Sequence, residues 1–326
     1  MARLPVEKFF VTDKNILKCR STEQPGAGIR SKLQGSSMLR PPREDKVQTE
    51  DGPLLLVSWF PGCSDQDVMA RLRAGGIDGI EMRHVDEESL RIRDAGMVVS
   101  FHLPFLNDST PPEINLANER ILRPYREGSM AGLAASSLSF VGFHFGYSAL
   151  EVEKRHGPEM ALTPTLSREE TAARIGATVA ELATLTRKEI LLENMDYGPT
   201  GALEYVCEPQ FLRACAEAWS CGTILDIAHA MVSASPLGRT TESYLEVLIT
   251  ETAHLVRSIH VSAPLNGLDM HLTATPEVLH WLRRALCAGA HPATIILERL
   301  PPTGLSPVRF AEKLVSELPP LREACP

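Results

Sequence analysis

Residues 189–229 decide the fold, and they read EILLENMDYGPTGALEYVCEPQFLRACAEAWSCGTILDIAH. The segment opens with an apolar run that ends at Glu193 and closes with a second apolar run that ends at Asp226. Between the two, apolar residues recur at helical spacing after Pro209, and proline is favoured in the first turn of a helix. The pattern therefore predicts two parallel strands joined by a crossover helix.

The same alternation extends in both directions from this segment. Eight strand-like runs, each followed by a helical segment, lie at residues 54–60, 77–82, 97–102, 139–144, 189–194, 222–227, 256–262 and 293–298. One of the helices is expected at about residues 115–135. Eight such units predict an α/β fold, a single TIM-type (β/α)8 barrel over residues 51–326. The alternative, an open doubly wound sheet, needs a glycine-rich phosphate loop after the first strand, where this chain has FPGC at 60–63.

Residues 1–50 differ in composition from everything that follows. They are rich in Gly, Pro, Ser and charged residues, lack hydrophobic periodicity, and hold ten Lys and Arg against six Asp and Glu. Segments of this kind cannot bury enough apolar surface to fold by themselves. We therefore expect a flexible, poorly structured N-terminal extension ahead of the barrel.

Composition limits the classes of function. The net charge is −8, and residues 51–326 contain 23 of the 33 basic and 35 of the 41 acidic residues, so binding of duplex DNA is not expected. No apolar stretch reaches the roughly 18 residues that a membrane span requires. The seven cysteines are scattered, odd in number and form no C-x-x-C pair, which favours a reducing, cytoplasmic location.

Potential metal ligands stand at or just after the ends of the predicted strands. The carboxyl ends of TIM-barrel strands meet at one mouth, so side chains placed there converge. Nine residues qualify: His102, His144, Glu193, Asp226, His229, His260, Asp269, His271 and Glu298. Five imidazoles and four carboxylates exceed what one ion requires, and a donor set without thiolates suits Zn, Fe or Mn. The sequence therefore predicts a cluster of two or three metal ions.

Two pairs of these ligands have informative spacing. Asp226 and His229 form a D-x-x-H pair at the point where a strand is expected to turn into a loop. Asp269 and His271 form a D-x-H pair, and residues two apart in an extended segment face the same side. Because this second pair follows the seventh strand closely, we expect its loop to return over the mouth.

Three residues are expected to be catalytic: Glu193, Asn194 and His260. A buried carboxylate such as Glu193 needs a cation or hydrogen-bond donors, so it suits a position between ions. Asn194 could orient a ligand or contact the substrate. Glu81, in the second strand, could also reach the mouth, but its spacing alone does not place it in the ligand set.

The order of the nine ligands resembles that of the xylose-isomerase-like TIM barrels. It is most similar to the endonuclease IV-type apurinic endonucleases, which use such a set for three zinc ions. The resemblance covers about residues 54–318 and implies the barrel fold and a multinuclear site.

The sequence between the ligands resembles the multinuclear non-haem iron-dependent oxidases. The similar segments are LLENMDYGPTGALEYVCEPQFL, TILDIAHAMVSA, ESYLEVL, RSIHVSAPLNGLDMH and TIILER. The resemblance implies two or three irons, oxygen as oxidant, and a cysteine-containing peptide that a small partner protein often presents. The chain departs from that pattern at Gly142, where Asp is common, and at His229, where many members have Asn.

Three functions are therefore considered. The preferred prediction is an O2-using oxidase with Fe(II)/Fe(III) that modifies a cysteine-containing peptide or a small thiol. The alternatives are a zinc- or manganese-dependent phosphodiesterase and a sugar isomerase or epimerase. Nine ligands exceed the needs of an isomerase, and the acidic barrel does not favour a nuclease that acts on duplex DNA.

Overall fold

The computed structural model describes residues 52–103, 115–128, 132–133, 136–154 and 159–325. The extension predicted at residues 1–50 lies outside this range.

The described residues form twelve strands. They are β1 (Leu54–Ser58), β2 (Gly79–Met82), β3 (Val98–Phe101), β4 (Phe140–His144), β5 (Val152–Lys154), β6 (Glu159–Ala161), β7 (Glu189–Glu193), β8 (Gly222–Asp226), β9 (Val256–Val261), β10 (Ala263–Leu265), β11 (Leu268–Leu272) and β12 (Thr294–Leu297). Eight of them form one parallel sheet in the order β3-β2-β1-β12-β9-β8-β7-β4. The other four form two antiparallel hairpins, β5–β6 and β10–β11.

The two edges of the eight-stranded sheet meet between β3 and β4. An isolated parallel bridge joins His102 to Gly142, and the Leu103 N–H donates to the Gly142 carbonyl over 2.9 Å. The Ser137 N–H donates to the Val99 carbonyl over 3.0 Å on the same side of the barrel. These contacts close the sheet, so the predicted TIM-type barrel is confirmed.

Ten α-helices surround the strands. They are α1 (Gln66–Ala74), α2 (Glu87–Asp94), α3 (Leu122–Arg126), α4 (Arg168–Thr186), α5 (Pro209–Trp219), α6 (Ile227–Ala234), α7 (Thr241–Thr252), α8 (Pro276–Cys287), α9 (Pro307–Ser316) and α10 (Leu318–Ala324). The longest, α4, begins with a capping box in which Ser167 and Glu170 satisfy each other's backbone N–H groups. No helix among the described residues has the length and apolar character needed to cross a bilayer.

The helix predicted over residues 115–135 is much shorter than expected. Its described part contains a 3-10 turn at Glu119–Ile121 followed by α3. Pro124 has no N–H to donate, so it is tolerated in the first turn of α3 but not deeper inside a helix. Gly128, with φ of 76°, then takes the chain out of helical geometry.

Alternation along the strands separates an apolar floor from a polar mouth inside the barrel. Phe140, at the start of β4, is buried together with Leu191 and Ile224, which stand at the middle of β7 and β8. Two residues further along β7 and β8, on the same side of the sheet, stand Glu193 and Asp226. The strands therefore deliver polar side chains to the mouth above a packed floor.

Candidate metal centre

Glu193 lies at the middle of the centre. Its side chain ends β7 and is 1% exposed. One carboxylate oxygen, Oε2, is 2.9 Å from Nε2 of His102 and 3.1 Å from Nε2 of His144. The other, Oε1, is 2.9 Å from Nδ1 of His260. Three imidazoles from three strands thus meet one carboxylate, which is the arrangement of a bridging ligand.

His260 connects Glu193 to the other carboxylates. Its ring is fully buried, and Nδ1 lies 3.3 Å from Oε2 of Glu298 and 3.8 Å from Oδ2 of Asp226. On the opposite side of the ring, Nε2 lies 3.2 Å from Oε2 of Glu81. Glu81 is therefore a site residue outside the predicted set. The usable signal was alternation, since Glu81 stands two residues after the inward-facing start of β2 in the run GIEM.

Asp226 and His229 reach the mouth by a different route from the one predicted. No loop follows β8; the chain enters α6 directly, and Asp226 is its N-cap. The Asp226 carboxylate accepts the backbone N–H of His229 over 2.6 Å. A capping aspartate satisfies an otherwise unpaired N–H of the first turn, so the D-x-x-H spacing starts a helix. His229 projects from that first turn.

Asn194 organises the same corner. Its side-chain amide donates to the Asp226 carbonyl and accepts the Asp226 N–H, both over 2.9 Å. Its own carbonyl oxygen lies 2.9 Å from Nδ1 of His229. Of the two roles expected from the sequence, this geometry suits orientation of ligands, because the amide is engaged with backbone groups.

The hairpin β10–β11 carries Asp269 and His271 over the mouth, as the sequence predicted. Oδ2 of Asp269 is 3.1 Å from Nδ1 of His271 and 3.5 Å from Nε2 of His229. Nδ1 of His271 is 3.8 Å from Oε2 of Glu298. All nine predicted residues are therefore brought into one continuous cluster, together with Glu81.

The donor atoms of this cluster fit metal ions. Within this cluster, several buried atoms make no hydrogen bond in the described part of the chain, among them Nε2 of His102, both carboxylate oxygens of Glu193, Oδ2 of Asp226, both ring nitrogens of His260 and Nδ1 of His271. Leaving such groups unsatisfied in a protein interior is costly. Two atoms bound to one ion by bonds of about 2.0–2.2 Å lie roughly 3 Å apart, close to the separations found here.

Three overlapping triads bring their ligand atoms within 4.8 Å of one another. They are Glu81, His102 and His260; His102, His144 and Glu193; and Glu193, Asp226 and His260. Shared members link the triads, so neighbouring ions would share ligands. Nitrogen and oxygen donors without sulfur are the set that iron, zinc and manganese accept.

A fourth group, His84, Asp86 and Glu88, lies just beyond β2. Asp86 caps α2, and Glu88 accepts hydrogen bonds from the Trp59 indole and the Ser64 hydroxyl, both over 2.7 Å. Its carboxylates therefore hold the loops after β1 and β2 together, and we do not assign it to the centre.

Burial and neighbouring charges shift the pKa values of the ionisable groups in the cluster strongly. Burial works to raise the pKa of Glu193, but the charges of His102 and His260 outweigh it and hold that pKa well below its usual range. Burial also raises the pKa of Asp226, which stays well above its usual range despite His229.

The histidines respond in the opposite sense to burial. Burial lowers the pKa of His260, but the charges of Glu81 and Glu193 outweigh it and raise that pKa well above its ordinary value. The pKa of His229 is raised in the same way, chiefly by Asp226. In the metal-free protein, these imidazoles therefore hold protons that metal ions must displace.

Comparison with known protein families identifies one matching family. Residues 131–304 match the family described as RiPP precursor modification enzyme MbnB/TglH/ChrH. This segment contains eight of the nine predicted ligands, all except His102.

Curated relatives match over a shorter segment. A UPF0276 protein of Caulobacter vibrioides is 32% identical over 134 residues, which cover 39% of this chain and 46% of the relative. A UPF0276 protein of Paraburkholderia phytofirmans is 28% identical over 129 residues, or 37% of this chain and 41% of the relative. The match thus spans less than half of the length of these relatives.

Solved structures support the fold. D-allulose 3-epimerase from a Methylomonas species superposes with a TM-score of 0.53 at 15% identity, covering 84% of this chain and 98% of that enzyme. Endonuclease IV from Thermus thermophilus gives a TM-score of 0.50 at 16% identity, covering 83% of this chain and all of that enzyme. These likenesses confirm the TIM-barrel fold and, at such low identity, carry no more than the fold.

Proposed function

Because the chain belongs to the MbnB/TglH/ChrH family of RiPP precursor modification enzymes, we propose that it is a multinuclear non-haem iron-dependent oxidase. RiPPs are ribosomally synthesised and post-translationally modified peptides, so membership implies a peptide substrate. The proposed reaction is the oxidation by O2 of a cysteine-containing peptide or a small thiol. A small partner protein that presents the peptide is part of the proposal.

The observation that carries the proposal is the convergence of three histidines on the two oxygens of Glu193, at 2.9–3.1 Å. A fully buried carboxylate in that position is stable only with compensating cations. Protonated histidines could supply the charge, but the unsatisfied ring nitrogens favour metal ions.

Each site residue has a proposed role. Bound iron would supply the electron transfer between the substrate and O2. Glu193 would bridge two ions, with His102, His144, Asp226, His229, His260, Asp269, His271 and Glu298 as further ligands, and Glu81 completes the set beside His260. Asn194 would hold Asp226 in place through the two hydrogen bonds between its side-chain amide and the Asp226 backbone, and His229 through the contact of its own carbonyl oxygen with Nδ1 of that ring.

The donor set is compatible with zinc or manganese as well, so the metal must be identified by experiment. The first measurement is elemental analysis of protein expressed anaerobically with iron supplied. We expect two or three irons per chain. The iron-loaded protein is then given O2 and a cysteine-containing peptide, with a cysteine-to-serine peptide as the matched control.

Oxygen uptake and product analysis complete the test. Removal of two electrons per peptide would match reduction of one O2 to hydrogen peroxide, and removal of four would match reduction to two waters. Glu193→Ala should abolish both metal content and oxygen uptake, while Glu181→Ala, at a partly exposed residue of α4 paired with Arg126, serves as the control. Zinc or manganese with negligible iron in every preparation would instead direct the work to phosphodiester and sugar substrates.

A further inference from the structure

We propose that Arg299 is a positioning residue that fixes the hairpin ligands Asp269 and His271, and that without it the centre loses one ion selectively. The proposal rests on the metal centre proposed above. It concerns residues whose side chains face away from the cluster.

Arg299 is a buried cation with a complete set of partners. Its side chain is 4% exposed, and that of Glu317 is 8% exposed. Nε and Nη2 of Arg299 donate to the two carboxylate oxygens of Glu317 over 2.9 and 3.1 Å. A buried pair of this kind is rarely kept for stability alone, because desolvation offsets most of its attraction. Its remaining donors therefore indicate what the pair holds.

Those donors hold the outgoing strand of the hairpin at two points. Nη1 of Arg299 donates to the backbone carbonyl of His271, and Nη2 donates to the hydroxyl of Thr273 over 2.9 Å. The Thr273 hydroxyl in turn donates to Glu317 over 2.9 Å. One guanidinium thus holds the backbone at a candidate ligand and the side chain two residues beyond it.

The backbone at His271 needs such support. Its φ is 46°, in the left-handed region that residues other than glycine rarely adopt. This conformation costs of the order of 1 kcal/mol or more and persists only where surrounding contacts impose it. The carbonyl that Arg299 holds belongs to the strained residue itself, so the contact selects the conformation that directs the imidazole to Asp269 and Glu298.

The outer face of the hairpin contributes little packing. Leu268 and Met270 are 58% and 44% exposed, and they alternate with the inward-facing ligands on β11. A hairpin with one face in water gains little from apolar burial. The polar contacts of Arg299 are therefore a major restraint on the position of this strand.

The test compares Arg299→Lys and Thr273→Val with the wild type. Lysine keeps the charge and one contact to Glu317, but a single ammonium cannot also reach His271 and Thr273 in the planar geometry of a guanidinium. We expect Arg299→Lys to bind about one ion fewer per chain while keeping the others. Thr273→Val, which keeps the shape of the side chain, should weaken binding of that same ion by about tenfold.

Two controls separate positioning from general destabilisation. Arg284→Lys alters another Arg–Glu pair, with Glu246, far from any ligand. Leu182→Ala removes buried packing from α4 and should lower the melting temperature without changing the number of bound ions. Faster hydrogen exchange of the residue 268–272 amides in Arg299→Lys provides a readout independent of activity.

Either of two results overturns the inference. If Arg299→Lys and Thr273→Val retain every ion with wild-type affinity, the pair has no positioning role. If Arg299→Lys loses all ions, the effect is not selective for the hairpin. A wild-type protein that binds no metal would contradict the proposed function instead, so the two failures are distinguishable.

Discussion

The ligands on the barrel wall and those on the hairpin are held in different ways. Glu193, Asp226 and His260 are completely buried at the ends of parallel strands whose neighbours pair with them on both sides. The side chains of Asp269 and His271 retain 9% and 16% exposure on a two-stranded hairpin with an apolar outer face in solvent. The ligands on the wall are therefore positioned as soon as the barrel folds, whereas the positions of the hairpin ligands depend on additional contacts.

The sharpest way to test this difference is to remove one ligand from each region. His260 lies within 3.8 Å of four carboxylates, so His260→Ala should remove nearly all bound metal. Among the candidate ligands, Asp269 lies beside His229 and His271, so Asp269→Ala should cost about one ion per chain, with the rest retained. Elemental analysis of both variants, prepared in parallel, provides the measurement. Equal losses in the two variants would show that wall and hairpin form one cooperative unit.

Most of the protons released when metal binds should come from His260 on the barrel wall and His229 on α6. The pKa values of His229 and His260 are raised above the ordinary 6.5, so both imidazoles are protonated at neutral pH in the metal-free protein. Metal ligation requires neutral imidazole, so affinity should fall as pH falls below those raised pKa values and should level off above them. Each displaced proton changes the affinity by about tenfold per pH unit.

Calorimetry in buffers of different ionisation enthalpy measures the protons released. Asp269 has a lowered pKa, since the hydrogen bond and charge of His229 outweigh its burial, so it is already ionised at neutral pH. Asp269→Asn should therefore release nearly as many protons per ion as the wild type. A release that disappears in this variant would assign the protons to the hairpin.

The smallest effect is expected at Gly142, on the wall beside His102. A Cβ there would lie 2.5 Å from Cδ1 of Ile224 and 3.1 Å from Cδ2 of His102. Gly142→Ala should therefore destabilise the protein by about 1–3 kcal/mol and displace His102. The same crowding would oppose an aspartate at this position.

Chemical denaturation with a compensating variant tests the cause. Ile224→Val removes the atom that clashes, so Gly142→Ala combined with Ile224→Val should recover much of the lost stability. Ser100→Ala, at a buried inward position on β3, is the control. Failure of the double variant to recover would place the strain at His102 instead.

The sequence was sufficient to predict the candidate ligands on the barrel wall. It was not sufficient to predict the residues that surround and support them. Alternation along apolar runs placed Glu193, Asp226 and His260 correctly, because period-two alternation and parallel pairing are local properties. Glu81 stayed outside the predicted set because one carboxylate in a short run has no distinctive spacing. The sequence predicts a loop after Asp226, whereas α6 begins there. Asp226 is both the last residue of β8 and the N-cap of α6, so no loop residues separate the strand from the helix.

Long-range contacts account for the remaining differences. Glu317 lies 18 residues from Arg299, and the left-handed conformation of His271 depends on that guanidinium. Nothing in the local sequence around Asp269 and His271 encodes either feature. The positions of the candidate ligands could be predicted, but the residues that hold them in place could not.

A metal ion bound beside the contact between β3 and β4 would also restrain the barrel from opening there. His102 stands at this contact and His144 ends the strand across it, and both approach the same oxygen of Glu193. An ion ligated by both would link β3 to β4 where the strands of the barrel share the fewest hydrogen bonds. Loading the centre should therefore suppress local opening there, with the amides of residues 98–103 and 140–144 gaining more protection from exchange than those of β12. Removing the metal would then abolish activity and also make the barrel open more readily between β3 and β4.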